Sequence, residues 1–212
     1  MSTSKGDDLH NVMANRQLFL SEFDITESQL AEPLQVGRDG VLIVDTPGQY
    51  PETDALITTI PGLFLRVLTA DCSPILIWSN EDSIVAAVHS GWQGSELNIL
   101  GQTLNLMKTD LGAKADSLRI ALGPALTREK FEVGPEFSDK FAPDYLTPKR
   151  ESDRFLFDNN AYLRDTAIDF GVPENQVEIL PYCSYKDDEL FFSHRRDGGT
   201  TGRMMSVIGI NL

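Results

Sequence analysis

The chain has 212 residues, 41% of them hydrophobic, enough to bury a sizeable core in one domain spanning residues 1–212. Eighteen Lys and Arg side chains stand against 32 Asp and Glu, a formal charge of −14 that repels polyanions at long range and excludes nucleic acid as an expected partner. The apolar stretches are strand-sized, well short of the roughly eighteen residues a membrane span needs, and Met1-Ser2-Thr3-Ser4-Lys5 has no apolar leader core, so the expectation is a cytoplasmic chain with free thiols.

Val12, Leu18 and Phe19 at helical spacing predict a helix over Asp8 to Phe23, with Asp7 or Asp8 as N-cap. Strands follow at Gly40 to Asp45, Ala55 to Thr58 and Leu63 to Thr69, the last two joined by a tight Ile60-Pro61-Gly62 turn. Pro74 to Trp78 and Ile84 to Val88 are apolar and rich in β-branched and aromatic types. The polar run Ser79 to Ser83 between them predicts a hairpin. Gly91 and Gly94 turn the chain around Trp92, and Ser95 to Leu111 reads as a helix ended by Gly112, with Leu97, Leu100, Leu104 and Leu111 on one side. A strand is expected at Ser117 to Leu122, a short helix at Pro135 to Phe141, a longer one at Asp158 to Phe170 stopped by Gly171, and strands at Val177 to Leu180 and Met204 to Ile210. This irregular alternation predicts an α/β (α+β) layered domain with mixed sheets and flanking helices.

The hairpin carries the chemistry. A turn centred on Glu81 sets Cys72 and Ser73 opposite His89 and Ser90, where Cβ atoms are roughly 4.5–5.5 Å apart. At that separation a thiol and an imidazole can share one Zn²⁺, or the imidazole can take the thiol proton. Arg195 and Arg196, with Arg203 nearby, form the one dense basic patch, a Gly-containing loop suited to a phosphate or carboxylate. Blander readings stand beside these. Cys72 fits core packing, Trp92 fits packing under the turn, Cys183 is expected to be structural, His10 to be solvated, and the arginines to pair with acidic neighbours such as Asp197.

Several segments together resemble the signatures of the laccase-domain family, also termed multicopper polyphenol oxidase-like and purine nucleoside phosphorylase. They are Asp54-Ala55-Leu56-Ile57-Thr58, Pro61-Gly62-Leu63, Thr69-Ala70-Asp71-Cys72-Ser73-Pro74, His89-Ser90-Gly91-Trp92, Leu122-Gly123-Pro124-Ala125, Phe131-Glu132-Val133-Gly134 and Phe191-Phe192-Ser193-His194-Arg195-Arg196-Asp197. The resemblance runs from about Gly6 to Leu212. It implies a single α/β domain with mixed sheets, related in architecture to Cys/His deamidase toxins. It also implies a Zn²⁺ site of one Cys and two His, with phosphorolysis of adenosine, inosine and methylthioadenosine and deamination of adenosine. Cys72 and His89 match two of the ligands. The third, a His in a Gln-Val-His segment, falls at Gly37 in Gln35-Val36-Gly37, and the cation that follows Gly-Trp in the family is Gln93 here.

The expected activity is therefore that of a purine nucleoside phosphorylase or adenosine deaminase-type zinc enzyme. Cys72 and His89 hold the metal and carry catalysis, Arg195 and Arg196 bind phosphate, and the partners are a purine nucleoside and phosphate. Two alternatives remain: a metal-free Cys72 nucleophile activated by His89 in a hydrolase or deamidase, and a non-catalytic member that binds a nucleoside or a protein. Oxidation of phenols at several copper centres asks for more ligands than three His and two Cys supply.

Overall fold

The computed structural model describes residues 1–2 and 8–211, so the alternative N-cap Asp7 lies outside the described residues. Helix α1, Leu9–Ser21, begins at Asp8, whose carboxylate accepts hydrogen bonds from the backbone N–H of His10 and Asn11. Its buried face is Val12, Arg16 and Leu20, while Leu18 is exposed.

Four layers follow from alternation along the strands. The central sheet is six-stranded and mixed, in the order β12-β8-β6-β7-β4-β2. Its members are β2 (Val41–Ile43), β4 (Ala55–Thr58), β6 (Ser73–Ser79), β7 (Ile84–Ser90), β8 (Arg119–Leu122) and β12 (Val177–Ile179). Ile57, Ile75, Ile77, Ala86 and Val88 point to one face and pack under helices α3 (Ile99–Thr109) and α4 (Asn159–Phe170). Leu56, Leu76, Val85 and Ala87 point to the other, against Ala31, Leu65 and Val67 of a second sheet. That sheet has the order β13-β5-β1-β3, from β1 (Leu30–Leu34), β3 (Gly48–Pro51), β5 (Phe64–Thr69) and β13 (Met204–Gly209). Its outer face, through Phe64 and Met205, carries α1 by way of Leu20. A small three-stranded sheet, β10-β11-β9, closes one end with β9 (Glu132–Val133), β10 (Leu146–Pro148) and β11 (Phe155–Phe157) around Phe131, Phe137 and Phe141.

Strands β1 and β3 escape a reading of the sequence because each contains proline, which demotes a run from strand status. Both are held in parallel ladders all the same, with Pro33 opposite Tyr50. The hairpin register differs by one position from the expected one: Ser73 pairs with Ser90 and Pro74 with His89. Cys72 thus lies just before β6, diagonal to His89. Diagonal neighbours share a face, so the two side chains still converge.

The helix expected over Ser95 to Leu111 is two helices, α2 (Trp92–Glu96) and α3. The break is at Asn98, held left-handed at φ 58°, whose carboxamide oxygen accepts from Gly101 N–H and starts α3 anew. A side chain at position 101 would collide with that carboxamide, so glycine there permits the restart. Leu97, placed on the apolar face by spacing, sits in the junction and is exposed.

Behind the mouth of the hairpin lies a buried polar chain. Ser90 and Ser95 hydroxyls bond at 2.9 Å, Ser95 Oγ donates to Asn159 Oδ1 at 2.7 Å, Asn159 Nδ2 donates to Ser73 Oγ at 3.2 Å, and Ser73 Oγ donates to Asn160 Oδ1 at 2.8 Å. The paired residues Ser73 and Ser90 are thereby bolted to the first turn of α4. Asn159→Ala is expected to lower unfolding stability in urea by about 1–3 kcal/mol, because it takes one hydrogen bond from each of two buried hydroxyls, Ser95 and Ser73. A loss below about 0.5 kcal/mol would show that water replaces the carboxamide there.

Candidate functional site

The site is built from Asp54 outward. Asp54 is fully buried immediately before β4, yet its carboxyl is held below the usual carboxylate range: burial opposes ionisation, and donors overcome it. Val36 N–H and Arg38 N–H each donate to Oδ2 at 3.0 Å, Gly37 N–H donates to Oδ1 at 2.9 Å, and His89 Nδ1 donates to Oδ1 at 2.7 Å. The backbone is tied as well, His89 N–H donating to Asp54 O at 2.8 Å. With Nδ1 committed, His89 keeps one ring nitrogen for the cavity that it lines together with Cys72, its diagonal neighbour across the mouth of the hairpin. Burial disfavours the imidazolium, but the Cys72 sulfur and Asp54 outweigh it and raise the His89 pKa to about 9.

Cys72 is presented by a strained turn. Asp71, the residue before it, adopts φ 88°, outside what an L side chain prefers. The strain is held by three bonds: Ser184 Oγ to Asp71 Oδ1 at 2.7 Å, Arg195 N–H to Asp71 Oδ2 at 2.6 Å, and Leu126 N–H to Asp71 O at 2.9 Å. Just past β7, at the N-cap of α2, Gly91 is needed for clearance, since a Cβ there would stand 3.0 Å from the Cys72 sulfur.

Cys72, His89 and Trp92 line one cavity of about 1020 Å³, together with Arg16, Arg195 and Arg203. The arginines arrive from distant parts of the chain. Arg195 donates to Glu132 O at 3.0 Å and lies 5.9 Å from the Phe131 ring centre. Arg203 donates to Thr201 O and Gly202 O, and Arg16 pairs with Glu27 at 3.6 Å. The expected phosphate ligand Arg196 lies elsewhere. Its guanidinium is spent on Ser184 O, Phe191 O and Asp197, so it braces the loop that carries Arg195.

Other expected residues fall as follows. His194 lines the cavity, while His10 is exposed on α1. Cys183 is buried away from the cavity and accepts from Thr127 Oγ1 at 3.2 Å. Trp92 packs on Phe137 with centroids 5.2 Å apart and also forms cavity wall.

The donor set does not fit a three-ligand zinc centre. Among the described residues no group of three His, Cys, Asp or Glu side chains is placed to hold a metal. Both oxygens of Asp54 and both of Asp71 are committed to hydrogen bonds, and Gly37 offers only its backbone. Cys72 and His89 remain, two donors where catalytic zinc takes three.

Sequence reasoning missed Asp54 and the Asp71 clamp. The signal for Asp54 was present, an acid heading the wholly apolar strand Ala55-Leu56-Ile57, where an unpaired carboxylate would be costly.

The chain matches the family described as multi-copper polyphenol oxidoreductase laccase over residues 1–211. A protein of Bacteroides thetaiotaomicron named purine nucleoside phosphorylase is 31% identical over 222 residues, covering 97% of this chain and 82% of that one. A Deinococcus radiodurans protein of the same name is 32% identical, covering 97% and 80%. Among solved structures, YlmD from Geobacillus stearothermophilus superimposes with a TM-score of 0.93 at 27% identity, covering 100% of this chain and 84% of that one. The Bacillus licheniformis hypothetical protein YfiH gives 0.92 at 26%, covering 99% and 84%. No helix among the described residues is long and apolar enough to cross a membrane. With the profile spanning almost every residue and the layers superimposing throughout, the chain belongs to the multi-copper polyphenol oxidoreductase laccase family.

Proposed function

We propose that the cavity is a purine nucleoside phosphorylase site. The observation that carries this reading is the juxtaposition of Arg195 and Arg203 with the Cys72–His89 wall in one cavity of about 1020 Å³. That is room for a nucleoside and an inorganic phosphate together. Among the described residues neither Arg195 nor Arg203 belongs to an ion pair, although acidic residues outnumber basic ones across the chain. Cations left unpaired on a concave wall suit an oxyanion. The relatives' shared name supports the same reaction class.

In this reading phosphate lies on Arg195, oriented for attack on the anomeric carbon, and Trp92 packs against the nucleoside. His89, fixed by Asp54, hydrogen-bonds the purine as the glycosidic bond breaks. Adenosine, inosine and methylthioadenosine are the substrates to try. Deamination of adenosine would use the same wall and is read separately, as ammonia release. Because the donor set falls short of a zinc centre, no step passes through a metal. Nor does the family's copper description fit, since among the described residues only His89, His194 and Cys72 of the possible soft donors reach the cavity.

Two outcomes test the reading. Purine base should be released from at least one of the three nucleosides only when phosphate is present, and Arg195→Ala should raise the phosphate KM by about tenfold or more. No phosphate-dependent release from any of them would end the proposal. An unchanged phosphate KM would take Arg195 out of it.

The second outcome concerns pH. A His whose folded pKa is raised from 6.5 to about 9 adds stability that is complete below pH 6.5 and lost as pH rises through 9. Urea unfolding should therefore show stability falling between pH 6.5 and 9 by about 1–3 kcal/mol, and His89→Gln should flatten that slope. A wild-type profile already flat across this window would mean that His89 is neutral in the fold.

A further inference from the structure

We propose that Asp54, His89 and Cys72 form a metal-independent nucleophilic triad. In addition to phosphorolysis, the cavity then hydrolyses an anionic acyl compound, an ester or carboxamide whose negative charge rests on Arg195. The starting point is the mismatch between the thiol–imidazole pair and a metal centre: two side-chain donors are present, and every nearby carboxylate oxygen is already bonded. What the same atoms do complete is an ordered chain of acid, imidazole and thiol. Asp54 Oδ1 accepts from His89 Nδ1 at 2.7 Å, and Cys72, diagonal to His89 across the mouth of the hairpin, lines the same cavity. Nucleophile, base and orienting group in that order are the working parts of acyl transfer.

Three features of the surroundings suit a nucleophile better than a packed core thiol. The imidazole cannot swing, because the carboxylate that holds it is itself fixed by three backbone N–H groups from residues 36–38. Cys72 is half-buried and lines the cavity, presented by the left-handed Asp71 turn, whereas Cys183 is 4% exposed and lies off it. Gly91, between β7 and α2, leaves the sulfur clear.

The step balances without a co-reactant other than water. Cys72 Sγ attacks the acyl carbon, and the proton it sheds is held on the second ring nitrogen of His89, in the imidazolium form that Asp54 favours. As the C–O or C–N bond breaks, His89 gives that proton to the departing alkoxide or amine, leaving a thioester. Water then attacks the thioester carbon, losing a proton to His89. The C–S bond breaks, and the proton returns to sulfur with release of the carboxylic acid.

The test uses the full chain after exhaustive treatment with a chelator. Iodoacetamide alkylation followed by peptide mass spectrometry should modify Cys72 far faster than Cys183. His89→Gln and Asp54→Asn should each slow the Cys72 rate by about 100-fold while leaving that of Cys183 unchanged, the latter serving as the check that each variant is folded. With p-nitrophenyl succinate as the acyl probe, a succinyl thioester should be trapped on Cys72 and nitrophenol release should vanish in Cys72→Ala. Stoichiometric zinc binding that blocks alkylation would overturn the proposal. So would equal reactivity of the two cysteines, acylation at another residue, or ester turnover surviving in Cys72→Ala. Inosine phosphorolysis, assayed in parallel on the wild-type chain, fails or succeeds independently of the thioester.

Discussion

The site depends on a single buried carboxylate. Asp54 accepts four hydrogen bonds, three from consecutive backbone amides and one from His89, and so joins the 36–38 loop, strand β4 and strand β7 at one point. A buried carboxylate without partners would cost several kcal/mol, so the loop and the imidazole are held wherever the acid is. The consequence is directional. Nδ1 of His89 is spoken for, and only the other nitrogen is offered to the cavity. A carboxylate on Nδ1 would serve a metal-bound His equally well, which separates the geometry of the imidazole from the identity of what it meets.

A second constraint acts on the thiol. Asp71 sits at φ 88° because its carboxylate is clamped by Ser184 and by the backbone of Arg195, two segments far along the chain. The clamp does two things at once: it lifts Cys72 toward the cavity and it brings Arg195 to the cavity wall. Thiol and guanidinium are therefore positioned by the same acid, and Arg196 reinforces the arrangement by tying its own loop to Ser184 O and Phe191 O.

What the sequence made legible follows the physics of local signals. The strand Ala55–Thr58, the cap at Asp8, the stop at Gly171 and the meeting of Cys72 with His89 all rest on short-range patterns of period two, capping chemistry or a single turn. The hairpin register is shifted by one residue from the turn-centred expectation, yet Cys72 and His89 line the same cavity, because a diagonal pair also shares a face. Long-range effects were illegible. Strand β1 is set by parallel partners that outweigh its proline, and the split of the helix at Asn98 depends on a left-handed residue that any spacing rule passes over. Likewise, nothing local separates Arg195 from Arg196, since the difference between them lies in which carbonyls are within reach of each guanidinium.

An acidic chain that receives an anion needs local cations that its own carboxylates do not neutralise. The architecture meets this by separating two populations of arginine. Arg66, 1% exposed in β5, is spent on Glu27 and Glu32, and Arg16 also leans on Glu27, an ion network that anchors α1 to the second sheet. Burial lowers the Arg66 pKa to about 10, aided by Arg16 and opposed by Glu27, so its charge is still fully present at neutral pH and is consumed inside the fold. Arg195 and Arg203 are held instead by neutral carbonyls and among the described residues neither forms an ion pair, although the Arg195 charge helps to lower the Glu132 carboxyl, after Lys149 and Arg154. At physiological ionic strength fields decay over about 8 Å, so a wall of such arginines governs what happens within the cavity whatever the net charge of the whole. The net charge of −14 then acts outside, keeping large polyanions away from a cavity whose interior favours small ones.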